Sequence, residues 1–138
     1  MKDKILLAVA PVDASDTIYD YNSVSKEVIA CAEAGAGMVH LHVRNKKGVL
    51  TSDLTELDKT LSVIRANTDM VIEVSTGGVS NLTIQERCAP LYDKLVEYCS
   101  LNVGSVNLGD YVYCNPIKDV KFCVKEIKET GKIPEVEV

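Results

Sequence analysis

Two histidines, the only two in this 138-residue chain, stand two positions apart in the apolar segment Met38-Val39-His40-Leu41-His42-Val43. Side chains alternate between the two faces of a β-strand, so residues i and i+2 point the same way, about 6–7 Å apart along the strand. Two imidazoles on one face can bind one metal ion, and imidazole is a common zinc ligand. The pair also fits two hydrogen-bonded core histidines, since zinc normally takes at least three protein ligands.

Polar residues also mark three later apolar segments. Ser75-Thr76-Gly77-Gly78 ends one, Ser100 and Asn102 lie in the next, and Glu135 and Glu137 stand two apart in the last. The Gly pair can turn backbone N–H groups toward a carboxylate or phosphate, or can simply form a turn. The segment lacks the GxGxxG and GxxxxGK patterns, which argues against a dinucleotide or P-loop site. A carboxylate on a buried strand, such as Glu137, needs a metal, an amine or an arginine beside it.

Hydrophobic periodicity and capping residues place these segments on strands that alternate with helices. Asp20 is a predicted N-cap with Gly35 as the stop, and Thr83 and Glu86 form a T-x-x-E capping box. Asn115 is a predicted cap, with Pro116 at the first position of a helix that stops at Gly131. The pattern predicts strands at 5–12, 38–44, 70–75, 99–106 and 133–138, and helices at 21–34, 53–66, 83–98 and 116–130.

Four strand–helix units at a period of roughly 30 residues, followed by a fifth strand, predict a parallel α/β sheet. A doubly wound sheet would close at this length, whereas a (β/α)8 TIM barrel needs roughly 250 residues. Polar side chains gathered on four successive strands favour the barrel, whose functional groups come from several strand ends. They argue against a flavodoxin-like signalling domain. We therefore expect the chain to supply the barrel from its first strand to its fifth.

Composition excludes several function classes. The net charge of −5 argues against a nucleic-acid partner, and the recurring Lys residues at 118–132 are interleaved with Glu126 and Glu129 as on a solvated helix face. Five cysteines, an odd number without a CxxC, indicate free thiols in a reducing cytoplasm. The first apolar run is too short to span a membrane and has no small-residue cleavage site, so neither a membrane partner nor a leader is expected.

Taken together, these motifs resemble the β-keto acid cleavage enzymes, a family whose best-described type cleaves 3-keto-5-aminohexanoate in lysine fermentation. The resemblance covers essentially the whole chain, and its motifs are specific in combination. They are Ala32-Glu33-Ala34-Gly35-Ala36, Val39-His40-Leu41-His42-Val43-Arg44, Ser75-Thr76-Gly77-Gly78, Glu86-Arg87, Leu101-Asn102-Val103-Gly104-Ser105-Val106-Asn107 and Pro134-Glu135-Val136-Glu137.

The resemblance implies a (β/α)8 barrel that holds zinc and condenses a β-keto acid with acetyl-CoA, giving acetoacetate and a new CoA ester. By motif, His40 and His42 correspond to zinc ligands, and Glu137 corresponds to a catalytic glutamate. The residues implied in substrate binding are Ser75, Thr76, Gly77, Ser100 and Asn102.

Two departures from the family pattern shape these expectations. The first loop reads Ala10-Pro11-Val12-Asp13-Ala14-Ser15. It lacks the acidic residue that follows this loop in the aminohexanoate type, unless Asp13 or Asp16 replaces it. The sequence therefore predicts the reaction type more firmly than it predicts the aminohexanoate substrate. The family's third zinc ligand, a glutamate, lies in the second half of its barrel. We therefore expect residues 1–138 to be the N-terminal half of one barrel domain, acting as a homo-oligomer or complemented by the missing C-terminal half. The alternative is a catalytically incomplete metal- or anion-binding α/β domain.

Overall fold

The computed structural model describes residues 5–138, so the first four residues of the predicted domain lie outside it. Five parallel strands lie side by side in chain order: β1 (Ala8–Val9), β2 (Met38–Leu41), β3 (Val71–Val74), β4 (Tyr98–Asn102) and β7 (Ile133–Glu137). Strands β5 (Val106–Leu108) and β6 (Tyr111–Tyr113) form a separate antiparallel hairpin. A doubly wound sheet reverses its strand order, whereas this one advances steadily. The predicted α/β fold, part of a (β/α)8 barrel, is confirmed.

Four helices connect the strands of the parallel sheet, and capping residues determine where several of them begin and end. They are α1 (Tyr21–Glu33), α2 (Thr55–Asn67), α3 (Ile84–Cys88) and α4 (Ile117–Thr130). As predicted, the Asp20 carboxylate accepts hydrogen bonds from the first-turn amides of α1, and Thr83 and Glu86 form a reciprocal capping box at α3. Gly131 ends α4 in the left-handed region, at φ 69°.

The helix predicted over residues 83–98 is wrong beyond Cys88. A 3₁₀ turn at Ala89–Tyr92 replaces its second half, because Pro90 has no N–H with which to continue the helical hydrogen bonds. The chain then becomes extended at Asp93, and Tyr98, predicted as the last helical residue, is the first residue of β4.

Other boundaries also differ from the prediction. Strand β2 ends at Leu41 rather than at residue 44, so His42 follows the strand instead of lying in it, and α2 begins at Thr55 rather than at residue 53. The first strand spans only Ala8–Val9, and β4 ends at Asn102 rather than at residue 106 because the chain turns into the β5–β6 hairpin. Gly109, at φ 61°, allows the tight turn of that hairpin. Asn115 does not cap α4, since Pro116 occupies the N-cap position and the Asn115 amide donates instead to the Asn102 carbonyl, at 2.7 Å.

The hydrophobic core lies between the sheet and its helices. Strands β2, β3 and β4 bury alternate residues against this helical layer, namely Val39, Leu41, Ile72, Val74, Cys99 and Leu101. Helix α2 contributes Leu57, Leu61 and Ile64, all at most 1% exposed. In contrast, every residue of β7 is exposed. Within residues 5–138, no helix is both long and apolar enough to cross a bilayer.

Candidate active site

The residues between those core positions point to the opposite face of the sheet, which we call the inner face. The parallel register pairs His40 with Glu73, Ser100 with Glu135, and Asn102 with Glu137. The carboxyl ends of parallel strands meet at one edge of a sheet, so the inner face carries its polar groups toward that edge. Its members are His40, His42, Glu73, Ser75, Ser100, Asn102, Glu135 and Glu137.

The two imidazoles lie against each other at this face. Their ring centroids are 5.2 Å apart, with 70° between the ring planes, and both residues are partly buried. Burial, aided by the nearby charges of His40 and Arg44, lowers the pKa of His42 from 6.5 to about 4. His42 is therefore neutral near pH 7, which is the form that binds a metal ion.

His40 differs from His42 because it has a buried carboxylate partner. Its Nδ1 lies 2.8 Å from Oε2 of Glu73, a residue only 1% exposed. The hydrogen bond to Glu73 is the main cause that raises the pKa of His40, against an opposing effect of burial. The other carboxylate oxygen, Oε1, is buried and accepts no hydrogen bond from an N–H group in the described part of the chain. The hydrogen bond with Glu73 thus occupies Nδ1 of His40.

Two further carboxylates reach the inner face from β7. A hydrogen bond with Glu73 is the main cause that raises the pKa of Glu135, as expected when two carboxyl groups approach each other. Glu137 instead accepts a hydrogen bond from the Asn102 side-chain amide, so the predicted catalytic glutamate is oriented by a predicted substrate-binding residue. Both carboxylates also raise the pKa of His40, which places them in the same electrostatic environment.

The segment Ser75–Gly78 crosses the end of β4. The Ser75 hydroxyl oxygen lies 3.4 Å from that of Ser100 and accepts a hydrogen bond from the Gly77 N–H, at 3.1 Å. The Thr76 hydroxyl donates to the Ser100 carbonyl, at 2.7 Å, and accepts a contact from Cys123. Thr76 therefore fixes the segment internally, while Ser75 and the Gly77 backbone remain the polar groups closest to the site.

A buried arginine braces this segment from the α3 side. Arg87, 8% exposed, donates to the Tyr113 hydroxyl at 2.6 Å and to the Asn115 side-chain oxygen at 3.1 Å. A Cβ placed on Gly77 would lie 3.2 Å from that Tyr113 hydroxyl and 3.3 Å from the side-chain oxygen of Asn102. Close approach of these side chains therefore explains why a glycine stands at position 77.

A cavity of about 1030 Å³ opens beside His42. The first loop, the turn after β2, Gly78 and the β5–β6 hairpin form its walls, with Asp16, Arg44, Leu50 and Tyr111 among the lining residues. The walls are mainly apolar but carry both charge signs. Both first-loop carboxylates accept hydrogen bonds within their loop: Asp13 from the Ser15 amide and hydroxyl, and Asp16 from the Asp13 N–H, at 2.9 Å. Of the two, Asp16 lines this cavity.

The donor set suits a metal ion only in part. His42 is neutral, and His40 keeps Nε2 free because Nδ1 is bonded to Glu73. Within residues 5–138, however, no three His, Cys, Asp or Glu side chains are arranged to hold a metal ion. Zinc normally takes at least three protein ligands. The described residues thus bring together two imidazole groups, fewer ligands than a zinc site normally has.

The structure brings most of the sequence-predicted residues together on one face. The exceptions are Thr76, whose hydroxyl contacts the Ser100 carbonyl and Cys123, and Gly77, which has no side chain. Sequence reasoning missed two members of their surroundings. Glu73 was missed because it stands in a Val- and Ile-rich strand. Its position two residues before Ser75 could have indicated that both side chains point to the same face. Tyr113 was missed with the hairpin, although Gly109-Asp110 between Val-Asn-Leu and Tyr-Val-Tyr is a hairpin pattern.

Comparison with known proteins identifies the family of the chain. The family model for beta-keto acid cleavage enzymes matches residues 19–138. A 3,5-dioxohexanoate:acetyl-CoA acetone transferase of Paraburkholderia graminis is 34% identical over 129 residues, covering 88% of this chain and 42% of the relative. A 3-keto-5-aminohexanoate cleavage enzyme of Fusobacterium nucleatum is 31% identical, covering all of this chain and 54% of the relative. A 3-oxoadipate:acetyl-CoA acetyltransferase of Cupriavidus necator is 38% identical over 109 residues, covering 78% of this chain and 38% of the relative.

The parallel βα units form part of a (β/α)8 barrel, and its inner face carries polar side chains toward the strand ends. The chain belongs to the beta-keto acid cleavage enzyme family. It spans about half the length of the curated relatives it matches.

Proposed function

We propose that this chain supplies the N-terminal half of the active site of a zinc-dependent β-keto acid cleavage enzyme. The observation that carries the proposal is the placement of His40 and His42 on the inner face, beside Ser75, Ser100, Asn102 and Glu137, in a chain of this family. The reaction transfers the acyl group: R–CO–CH₂–COO⁻ and acetyl-CoA give acetoacetate and R–CO–CoA. Atoms balance, and no oxidant is needed.

The chain's own residues have distinct roles in this proposal. His40 and His42 would hold zinc, which when bound polarises the keto oxygen of the substrate. The Ser75 hydroxyl and the Gly77 backbone would bind the substrate carboxylate, with Ser100 keeping Ser75 in place. Glu137, oriented by Asn102, would exchange a proton with the reacting carbon skeleton. The remaining zinc ligand would come from the other half of the barrel, which also covers β7.

The substituent of the β-keto acid would occupy the cavity beside His42. The relatives' names include amino-, oxo- and carboxy-substituted acids, so the charge on the cavity wall determines the substrate class. Asp16 supports an amine-bearing acid of the 3-keto-5-aminohexanoate type, because it is the first-loop carboxylate that lines the cavity. Replacing Asp16→Asn should then reduce turnover of amino-substituted acids more than turnover of uncharged ones.

Acetoacetate formation tests the reaction directly. The chain is coexpressed with the C-terminal half of the Fusobacterium nucleatum relative and assayed with acetyl-CoA and a panel of β-keto acids. We expect acetoacetate from at least one acid, and its loss in the His40→Ala/His42→Ala variant with folding retained. No acetoacetate from any acid, or formation that survives the double substitution, would contradict the proposal.

The second candidate is a metal- or anion-binding α/β domain without catalysis. It draws on the same two imidazoles and the same Ser75–Gly78 segment, which can bind a ligand without catalysing a reaction. Size-exclusion chromatography and zinc analysis of the chain alone test both candidates. A stable monomer with stoichiometric zinc and cleavage activity would show that the chain needs no second half for catalysis. Loss of assembly on replacing both histidines, with no activity to lose, would favour the binding domain.

A further inference from the structure

We propose that Glu73 is the positioning residue of this site: its buried carboxylate fixes the ring orientation and tautomer of His40, so that Nε2 is presented as the metal-binding nitrogen. The inference rests on the proposed function, because it takes His40 as a metal ligand. It adds a residue that lies outside the motif set through which the chain resembles its family.

Backbone register places the two side chains side by side. His40 and Glu73 are directly paired residues of the neighbouring parallel strands β2 and β3, and both point to the inner face. The result is the 2.8 Å contact between Nδ1 and Oε2. Because regular strands hold both Cα atoms, this contact does not depend on a loop. Sites built on strands in this way maintain ligand geometry more accurately than sites built on loops.

The direction of the hydrogen bond follows from the chemistry of the partners. An ionised carboxylate only accepts hydrogen bonds, so Nδ1 of His40 must carry the proton. In neutral imidazole only one nitrogen is protonated, which leaves Nε2 with a free lone pair. Metal-binding histidines commonly donate their other N–H to a carboxylate in this manner, and losing that partner typically costs 10–100-fold in metal affinity.

Burial of Glu73 beside a second carboxyl group supports a specific role. The residue is 1% exposed, and its interaction with Glu135 raises the pKa of that second carboxyl group. Burying a carboxylate is unfavourable, so an apolar residue would serve the core of a Val-Ile-Glu-Val strand better if packing were its only task. His42 shows the contrast, since no described residue accepts or donates a hydrogen bond to its ring. Its Nδ1 edge faces Gly78 instead.

The tautomer of His40 tests the proposal without requiring catalysis. The chain has only two imidazoles, so ring nitrogens can be assigned by ¹⁵N NMR using His40→Gln and His42→Gln as references. In the metal-free protein above the His40 pKa, we expect His40 protonated at Nδ1. Glu73→Leu should shift the proton to Nε2 or mix the tautomers, whereas Glu73→Gln, which keeps an acceptor oxygen, should retain the Nδ1–H form.

Zinc affinity by competition with a chelator supplies the second measurement. We expect about a 10–100-fold loss in Glu73→Leu and a smaller loss in Glu73→Gln. Glu56→Leu is the matched control, because Glu56 is also buried, at 6% exposure, but lies on α2 and pairs with Lys59. The positioning role is overturned if Glu73→Leu keeps the Nδ1–H tautomer, or if Glu56→Leu weakens zinc binding equally. If wild-type zinc binding proves independent of His40, the proposed metal site fails, while the tautomer result still decides the hydrogen bond.

Discussion

The helix-facing side of the sheet and its inner face are built from alternate residues of the same strands. On the helix-facing side, Val39, Ile72 and Val74 are fully buried among the side chains of α1 and α2. On the inner face, the intervening residues are His40, Glu73 and Ser75. His40 pairs with Glu73, and the Ser75 hydroxyl contacts that of Ser100. A strand of four residues thus contributes to stability on one side and to chemistry on the other. Substitutions on the two faces should therefore have different consequences.

The largest effect on stability is expected on the helix-facing side. Leu61 of α2 is 0% exposed and belongs to the core cluster. Leu61→Ala removes buried methyl groups and leaves a cavity, so the free energy of unfolding should fall by about 2–5 kcal/mol in urea denaturation. Because Leu61 is separated from the inner face by the sheet, the intrinsic zinc affinity of the folded protein should stay within about threefold of wild type. A larger change in affinity would show that the two faces are coupled.

A smaller effect, with a defined pH dependence, is expected from His42. Its pKa is lowered from 6.5 to about 4, so between those values the unfolded chain binds more protons than the folded protein. In the metal-free protein the contribution is complete above about pH 6.5 and is lost as the pH falls toward about 4. From neutral pH to about pH 5 the loss should be about 2 kcal/mol.

Urea denaturation of wild type and His42→Asn at both pH values measures this contribution, because all other titrating groups are shared. His40 provides the opposite sign: its pKa is raised, so its contribution is present at low pH and disappears as the pH rises through the folded-state pKa. Equal pH dependence in wild type and His42→Asn would contradict the burial of that imidazole.

Arg87 joins the helical layer to the end of the inner face. Arg87→Lys keeps the charge but loses the forked contacts to Tyr113 and Asn115, so we expect a loss of about 1–3 kcal/mol. Faster hydrogen exchange of the Gly77 and Asn115 amides should accompany it, because these residues are braced by the same network. Unchanged exchange at both amides would contradict the bracing role. Arg65→Lys, at a partly exposed ion pair with Glu97, is the control.

The smallest effect is expected where a residue belongs to neither face. Thr83 caps α3 by accepting a hydrogen bond from the Glu86 amide. Thr83→Ala should lower the free energy of unfolding by about 1 kcal/mol, and Thr83→Ser should restore most of that loss. Thermal or urea unfolding of the three proteins checks this order. A loss from Thr83→Ala as large as that from Leu61→Ala would contradict the distinction between core and periphery.

Local patterns predicted much of this fold because local physics determines it. Alternating apolar runs identified the five parallel strands, and the Asp20 and Thr83 caps and Gly131 marked helix boundaries that the structure confirms. The helix through residue 98 was wrong because a favourable start at Thr83 was extended across Pro90, which interrupts the hydrogen bonds.

The site was predictable in its residue types but not in its contacts. Strand alternation predicted that His40 and His42 share a face, and the two rings do lie together although His42 is one residue beyond the end of β2. The contact of His40 with Glu73 spans 33 positions and depends on the register of β2 against β3, which no local pattern specifies. Likewise, Arg87 meets Tyr113 and Asn115 only through tertiary packing.

X-ray absorption spectroscopy at the zinc edge, on the wild-type chain loaded with one equivalent of zinc, tests the central claim most directly. The account predicts two imidazole ligands, supplied by His40 and His42, with the remaining coordination positions filled by oxygen. The five free cysteines offer an alternative set of zinc ligands. A shell of sulfur ligands without two imidazoles would contradict the account, because zinc would then bind away from the inner face.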